Sequence, residues 1–250
     1  MNKYIHVFSI GFFCFLLIVW ELVARGMSEL VLPAPTVVVK TLWMGLTNGY
    51  FLPHIMRTLA EILLGLLAGS VLGIFLGLLM GEVEFLRKWL HPYIITSQAV
   101  PKLALAPLFI LWFGFGMTSK VVITALICFF PLLENTLSAI QQVERSKVEL
   151  FQSLRASRWQ ILFHLKIPSG LPQIVAGFKI AVVLAVVGAV VGEFIGGSKG
   201  LGALIIASQG MMDTPLMFAV LILLTAIGIV LYQLVILVEK VILVKYMEEK

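Results

Sequence analysis

Polar positions in this chain fall in short clusters separated by long apolar runs. A helix needs about 20 mainly apolar residues to cross a bilayer. Six runs reach that length: Tyr4–Val23, Thr58–Met80, Pro92–Trp112, Ser119–Leu137, Leu171–Ile195 and Leu216–Glu239. The pattern predicts an all-α membrane protein with six transmembrane helices. The first run is expected to be retained rather than cleaved. Its charged start is only Lys3, and Glu21 and Arg25 stand where small cleavage-site residues would be needed.

Several segments carry a finer pattern. The second run places Gly65, Gly69, Gly73, Gly77 and Gly81 at every fourth position. On a helix that spacing drifts slowly, so the glycines form one bare groove into which another backbone can press. The fifth run repeats the device with Gly177, Ala181, Ala185 and Ala189, beside Gly188, Gly192 and Gly196. A tight bundle follows, with helices that can slide or rock against each other. Between the first two runs, Glu29–Arg57 is partly apolar and broken by Pro33 and Pro35. It predicts a turn and then a short amphipathic helix on the outer membrane surface. Gly196–Pro215 contains GGSKGLGALI, including Ser198. Its apolar Leu201–Ala207 piece is too short to span; it either re-enters the membrane as a gate or packs as a surface turn.

One polar island stands apart, Gln141–Pro168, with Arg145, Lys147, Arg155, Arg158, His164 and Lys166. Val143, Leu150 and Leu154 fall near one helical face with Phe151 adjacent. Arg155-Ala156-Ser157 then interrupts, and Trp159, Leu162 and Phe163 resume the apolar pattern. Two short helices around a small-residue turn suit insertion into a groove on a partner. A solvated basic loop is the plainer alternative.

Composition fixes the class. The 250 residues are 60% hydrophobic and 12% charged, against roughly 25% charged in a soluble domain. A water-soluble fold of this size could not cover itself. Cys14 and Cys128 lie in apolar runs without metal-ligand spacing, so neither a metal site nor a disulfide is expected. The net charge of +5 reads as positive-inside bias rather than nucleic-acid binding, because the cations are spread over membrane loops. With the N-terminus inside, the inner set is Lys3, Arg87, Lys88, Arg145, Lys147, Arg155, Arg158, Lys166, Lys240, Lys245 and Lys250. Only Arg25, Lys40, Arg57, Lys120 and Lys199 fall outside, so both termini and the island are expected in the cytoplasm.

Catalytic chemistry is not visible. His6, His54, His91 and His164 are isolated, and no HExxH, G-x-S-x-G or phosphate-binding loop occurs. GGSKGLG has the wrong glycine-to-lysine spacing for such a loop and lies on the side without ATP. Any ATP used must be bound, with its Mg, by another polypeptide. Ionisable groups within the runs are Glu61, Lys102, Glu134, Lys179 and Glu193. Such groups are costly in lipid and usually face a bundle interior or water. Glu61 and Lys179 lie near span ends, where they can snorkel. Glu134 stands near an interface, Lys102 about halfway along its helix, and Glu193 beside the gate segment. Lys102, Glu134, Glu193 and Ser198 are the candidates for a solute path or gate. A proton relay is disfavoured because no acidic chain traverses the bilayer.

Glu149–Pro168 resembles the EAA loop of the transmembrane subunits of binding-protein-dependent ABC importers. Glu149 matches the acidic position, Ala156-Ser157 and Trp159 the followers, and Leu165-Lys166-Ile167-Pro168 the ending. Leu150 and Phe151 depart from the usual alanines. Arg155 occupies the usual glycine position, where a left-handed turn favours glycine. PKLALAPLFILWFGFG, FFPLLENT and VVGEFIGGSKGLG are similar to one branch of these permeases, serving nitrate, sulfonate, taurine, thiamine pyrimidine precursors or riboflavin.

The resemblance implies a type I importer permease in a bacterial inner membrane. Residues 1–57 would form an N-terminal helix plus outer segment, and 58–245 a core with its coupling loop at 141–170. Glu149, Ser153, Leu154, Arg155, Ala156, Ser157 and Trp159 would couple to separate ABC ATPase subunits. A solute-binding protein would dock outside, and a second permease copy would complete the pore. The rivals are an ion-driven secondary transporter or channel, and an intramembrane enzyme.

Overall fold

The computed structural model describes residues 2–248; Lys250 and the side chains of Lys3, His6 and Lys245 lie outside that description. The described residues form helices and no strand. The first is α1 (Asn2–Arg25), followed by α2 (Pro35–Thr47), α3 (Leu52–Glu82) and α4 (Glu84–Gln98). A 3₁₀ turn at Lys102–Leu105 leads into α5 (Ala106–Phe113) and then α6 (Met117–Gln141). The polar island gives α7 (Arg145–Ser153) and α8 (Arg158–Ile161). After a π turn at Leu162–Lys166 come α9 (Ile167–Gly196), α10 (Leu201–Gly210) and α11 (Thr214–Glu248).

The centre is α6, clasped by α3 on one side and α9 on the other. The glycine ladder explains the first contact. A methyl at Gly69 would sit 2.6 Å from the Ala125 carbonyl oxygen, and one at Gly73 2.7 Å from that of Phe129. Gly65, Gly77 and Gly81 lie against Thr124, Thr136 and Ile140. All five ladder positions therefore face α6. The second stripe grips the opposite side: Gly177 meets Asn135, Gly188 meets Thr124 and Gly192 meets Lys120. Ala181, Ala185 and Ala189 are fully buried with Ile62, Cys128 and Leu132. In lipid, where water drives no association, such close backbone packing holds helices together.

Among the described residues, four helical stretches are long and apolar enough to cross a membrane: Leu52–Glu82, Met117–Gln141, Arg158–Gly196 and Thr214–Val241. The third sequence-predicted run is not a continuous helix. Glu84–Gln98 and Lys102–Phe113 meet at 84° across a short break. Pro101, extended at ψ 91°, caps the start of the 3₁₀ turn, and Pro107 is the second residue of α5. Neither proline can supply the N–H that a continuous helix would require. Lys102 thus stands at a break, not midway along a helix. The fifth run starts earlier than its apolar limits, because α8, the π turn and α9 form one 39-residue helix. The wider π turn ends two residues before Pro168, which has no N–H to give.

The connecting segment predicted on the surface does contain a helix, α2, but it is packed rather than lying free. Val38 and Phe51 are buried with Leu201, Leu204 and Val220 of α10 and α11. Trp20 of α1 donates to the Pro33 carbonyl at 3.1 Å, and Thr36 Oγ1 donates to the Glu21 carboxylate. The Leu201–Ala207 piece belongs to α10, with Leu201, Gly202, Ala203, Leu204, Ile205 and Ser208 buried. A buried helix replaces the surface-turn alternative.

Candidate functional site

The island folds as the predicted pair of short helices, and its turn is closed by standard terminal chemistry. Arg155 has φ 57°. Its N–H donates to the Gln152 carbonyl at 2.9 Å, and that of Ala156 to Phe151 at 3.0 Å. Those two bonds make a Schellman stop with Arg155 in the left-handed position usually given to glycine. An L-residue there costs roughly 1 kcal/mol, so the turn keeps its left-handed form against the local preference of arginine. The next helix begins with a capping box: Gln160 N–H donates to Ser157 Oγ, and Ser157 N–H to Gln160 Oε1 at 2.7 Å.

The island leaves large apolar side chains uncovered. Leu150, Leu154, Trp159 and Phe163 are all exposed, and Trp159 stacks on Phe163 with centroids 6.0 Å apart. Ile161, Leu162 and Leu165 anchor the base inside the protein. Glu149 is solvent-exposed and accepts from Arg145 at 2.8 Å. Lys166 ties this base to the end of α3, donating to Glu82 at 2.6 Å. From this base one unbroken helix, 158–196, runs into the α6 clasp.

A second site lies at the break before Lys102. A cavity of about 490 Å³ opens there, and Lys102, Gln98, Phe130, Glu134 and Asn135 are among its lining residues. Structure therefore brings Lys102 and Glu134 together. Glu134 is about a third exposed; its Oε1 accepts from Gln98 Nε2 at 3.2 Å, and Oε2 lies 3.8 Å from His91. Glu193 and Ser198 do not line this cavity. Glu193 is 1% exposed, and Ser198 sits on an exposed bend.

Glu193 instead belongs to a buried polar cluster at the opposite end from the island. It accepts from Thr58 Oγ1 and from the Gly202 N–H, each at 2.6 Å, while Leu201 N–H donates to Thr58 at 2.8 Å. Gly200 has φ 129° and packs directly on the Glu193 carboxylate, leaving no room for a side chain. Beside it, Glu61 binds Arg57 at 2.7 Å and Lys120 at 3.1 Å. Glu61 and Lys120 are buried, so Glu61 does not snorkel and Lys120 is not a loop charge. Lys179 pairs with Glu239 at 2.6 Å. The four-residue spacing of Arg57 and Glu61 is the signal that could have found part of this cluster; nothing local signals Lys120.

Residues 65–243 match the family model described as binding-protein-dependent transport system inner membrane component. The chain is 39% identical to the riboflavin transport system permease protein RibX of Chloroflexus aurantiacus, over 90% of this chain and 85% of that one. It is 38% identical to the formylaminopyrimidine transport permease protein ThiX of Halalkalibacterium halodurans, over 87% of each. Identity to the taurine transport system permease protein TauC of Escherichia coli is 32%, over 84% of this chain and 79% of that one. The fold matches an inward-facing structure of the MetNI methionine ABC transporter, with TM-score 0.67 and 18% identity. That match covers 86% of this chain and 99% of the other.

Proposed function

The chain belongs to the binding-protein-dependent transport system inner membrane component family, and from that premise we propose that it carries a small solute into the cytoplasm under the drive of a separate ATPase. It is a multi-pass inner-membrane permease subunit, a transport component rather than an enzyme. ABC ATPase subunits, holding ATP and Mg, seat the exposed face of α7 and α8. A solute-binding protein docks at the opposite end, and a second copy of the chain completes the pathway. In this reading α1 and the bent α4–α5 pair bring the spans to six, with both termini beside the island in the cytoplasm.

The observation that carries the reading is the exposure of Leu150, Leu154, Trp159 and Phe163, the last two on a helix continuous with a membrane span. ATP-driven closure of the partner moves that face, and the rigid stem tilts the bundle between inward and outward access. Glu149 and Ser153–Ser157 with Trp159 form the contact surface. The solute is drawn from the range that the relatives carry: a sulfonate, taurine or nitrate-like anion, or a vitamin precursor such as a thiamine pyrimidine or riboflavin.

Deleting Ser153–Ser157 tests the reading. Uptake in cells and recovery of an ATPase subunit with the tagged chain should both be lost, while the protein still reaches the membrane. Unchanged uptake, or accumulation of solute by vesicles containing this chain alone, would overturn it.

A further inference from the structure

We propose that the groove between the inner end of α3 and the α8 stem binds an anionic phospholipid, with the lipid phosphate on Arg158 and an acyl chain laid along α3. The leaflet, the cytoplasmic one, rests on the permease reading above; the groove and its charge do not.

The groove has a volume of about 450 Å³, with Phe75, Leu79 and Val83 on one side and Trp159, Leu162 and Phe163 on the other. Its α3 wall is not the side that meets α6. The glycine ladder takes that contact, while Phe75 and Val83 are exposed. The groove therefore opens on the outside of the bundle, where the bilayer lies. Phe75 stands seven residues before Glu82, which is roughly 10 Å up the span on a helix. An ATPase seated on the island from the water side does not reach that depth, whereas an acyl chain does. Leu150 and Leu154 do not line the groove and stay free for the ATPase.

The mouth is charged, and its charges do not cancel. Glu82 and Arg158 are the ionisable residues lining it. Glu82 accepts from Lys166 at 2.6 Å, so its charge is already met. Among the described residues, no carboxylate lies within ion-pairing distance of Arg158. The next carboxylate along α4, Glu84, is taken by Lys88 at 2.8 Å, and Arg87 adds a further cation to that helix. The surplus is positive. Cations at the cytoplasmic surface attract anionic lipids, and a guanidinium matches a phosphate with two parallel hydrogen bonds. Trp159 stands beside Arg158 at this mouth, and an amphipathic indole suits the headgroup level.

The test uses the full chain in phosphatidylcholine nanodiscs. Phe75→Trp sets a fluorescent reporter at the deep end of the groove, read as the difference from the parent chain. Phosphatidylglycerol or phosphatidylcholine, each brominated on its acyl chains, is mixed in at the same low fraction, and bromine quenches an indole on contact. Phosphatidylglycerol should occupy the reporter's contact position with about fivefold higher relative affinity. Arg158→Gln should bring that ratio to unity, and Arg158→Lys should keep most of it. Leu67→Trp, an exposed position on α3 further from the island, should show no preference. Inorganic phosphate at constant ionic strength should leave the ratio unchanged. Equal quenching by the two lipids, a ratio unmoved by Arg158→Gln, or the same preference at Leu67→Trp would overturn the proposal. So would a preference abolished by phosphate, which would make the ligand a free anion. The quenching needs no ATPase and no transport, so its failure is distinct from a failure of uptake and co-purification, which test the permease reading.

Discussion

At the scale of single residues, the buried charges decide more than the exposed ones. Lys120 and Glu61 are paired out of solvent, with Arg57 completing the bridge. Pairing a lysine and a glutamate inside a protein adds little net stability, because desolvation offsets attraction; removing one partner is what costs. Lys120→Ala should therefore destabilise the chain by about 3 kcal/mol, softened by Arg57. Thermal unfolding in detergent should show a lowered midpoint. The double variant Glu61→Gln, Lys120→Met should recover part of the loss, since the one charge it leaves unpaired, Arg57, is about a third exposed. If the single variant melts with the parent, the pair has no structural role. This cluster was only partly legible in the sequence. Arg57 and Glu61 advertise themselves four residues apart, whereas Lys120 reads as one more loop cation by its position at the edge of a run. Only the approach of α6 to α3 reveals its partner. The same holds for Glu193, whose place beside a glycine-rich segment gives no sign of the Thr58 and Gly202 N–H partners it takes up.

Elements were most legible where their signal is periodic and local. The five-glycine ladder predicts close packing from spacing alone, and each rung does meet α6. What periodicity does not encode is direction: an apolar run looks the same whether it continues straight or turns by 84°. The prolines at 101 and 107 mark the bend, yet prolines also sit inside α6 and α9, at Pro131 and Pro172, without breaking them. The start of the fifth helix was hidden for the opposite reason, since its first turns are polar and its apolar run begins later. The ladder makes a sharp test of the clasp. At Gly73 an added methyl would press on the Phe129 carbonyl and the Leu133 amide nitrogen, backbone atoms that cannot rotate away. Gly73→Ala should cost about 2 kcal/mol, within the range for overpacked cores, and Gly73→Leu should leave little monodisperse protein on size-exclusion chromatography. Gly11 supplies the control, because nothing lies within 4 Å of its added methyl. Equal yields from Gly73→Leu and Gly11→Leu would mean that α3 and α6 do not pack as described.

For the whole molecule, the question is how movement at the island reaches the bundle. Exposed Trp159 and Phe163 stand on the 158–196 helix, and that helix carries the small-residue stripe against α6. A stem moving alone would slide along α6 and leave α3 behind. In the proposed reading Lys166 prevents that, because its bond to Glu82 at 2.6 Å joins the base of the stem to the end of the other clasping helix. Both jaws around α6 are then driven together. The bridge is partly buried on both sides, so its charges are less screened than those of an exposed pair. It also joins residues far apart in sequence, so its worth as a coupler exceeds its worth for local helix stability. Glu82→Lys sets two cations against each other at the hinge. It should lower uptake by about tenfold, corresponding to roughly 1.4 kcal/mol of coupling, while the chain still co-purifies with its ATPase. Restoring opposite charges in the reversed order, Glu82→Lys with Lys166→Glu, should return most of the uptake. Recovery in the double variant separates a lever held by this bridge from a surface that merely tolerates charge. If the double variant is as poor as the single, the two jaws are joined elsewhere, through the α3–α6 and α6–α9 packing alone.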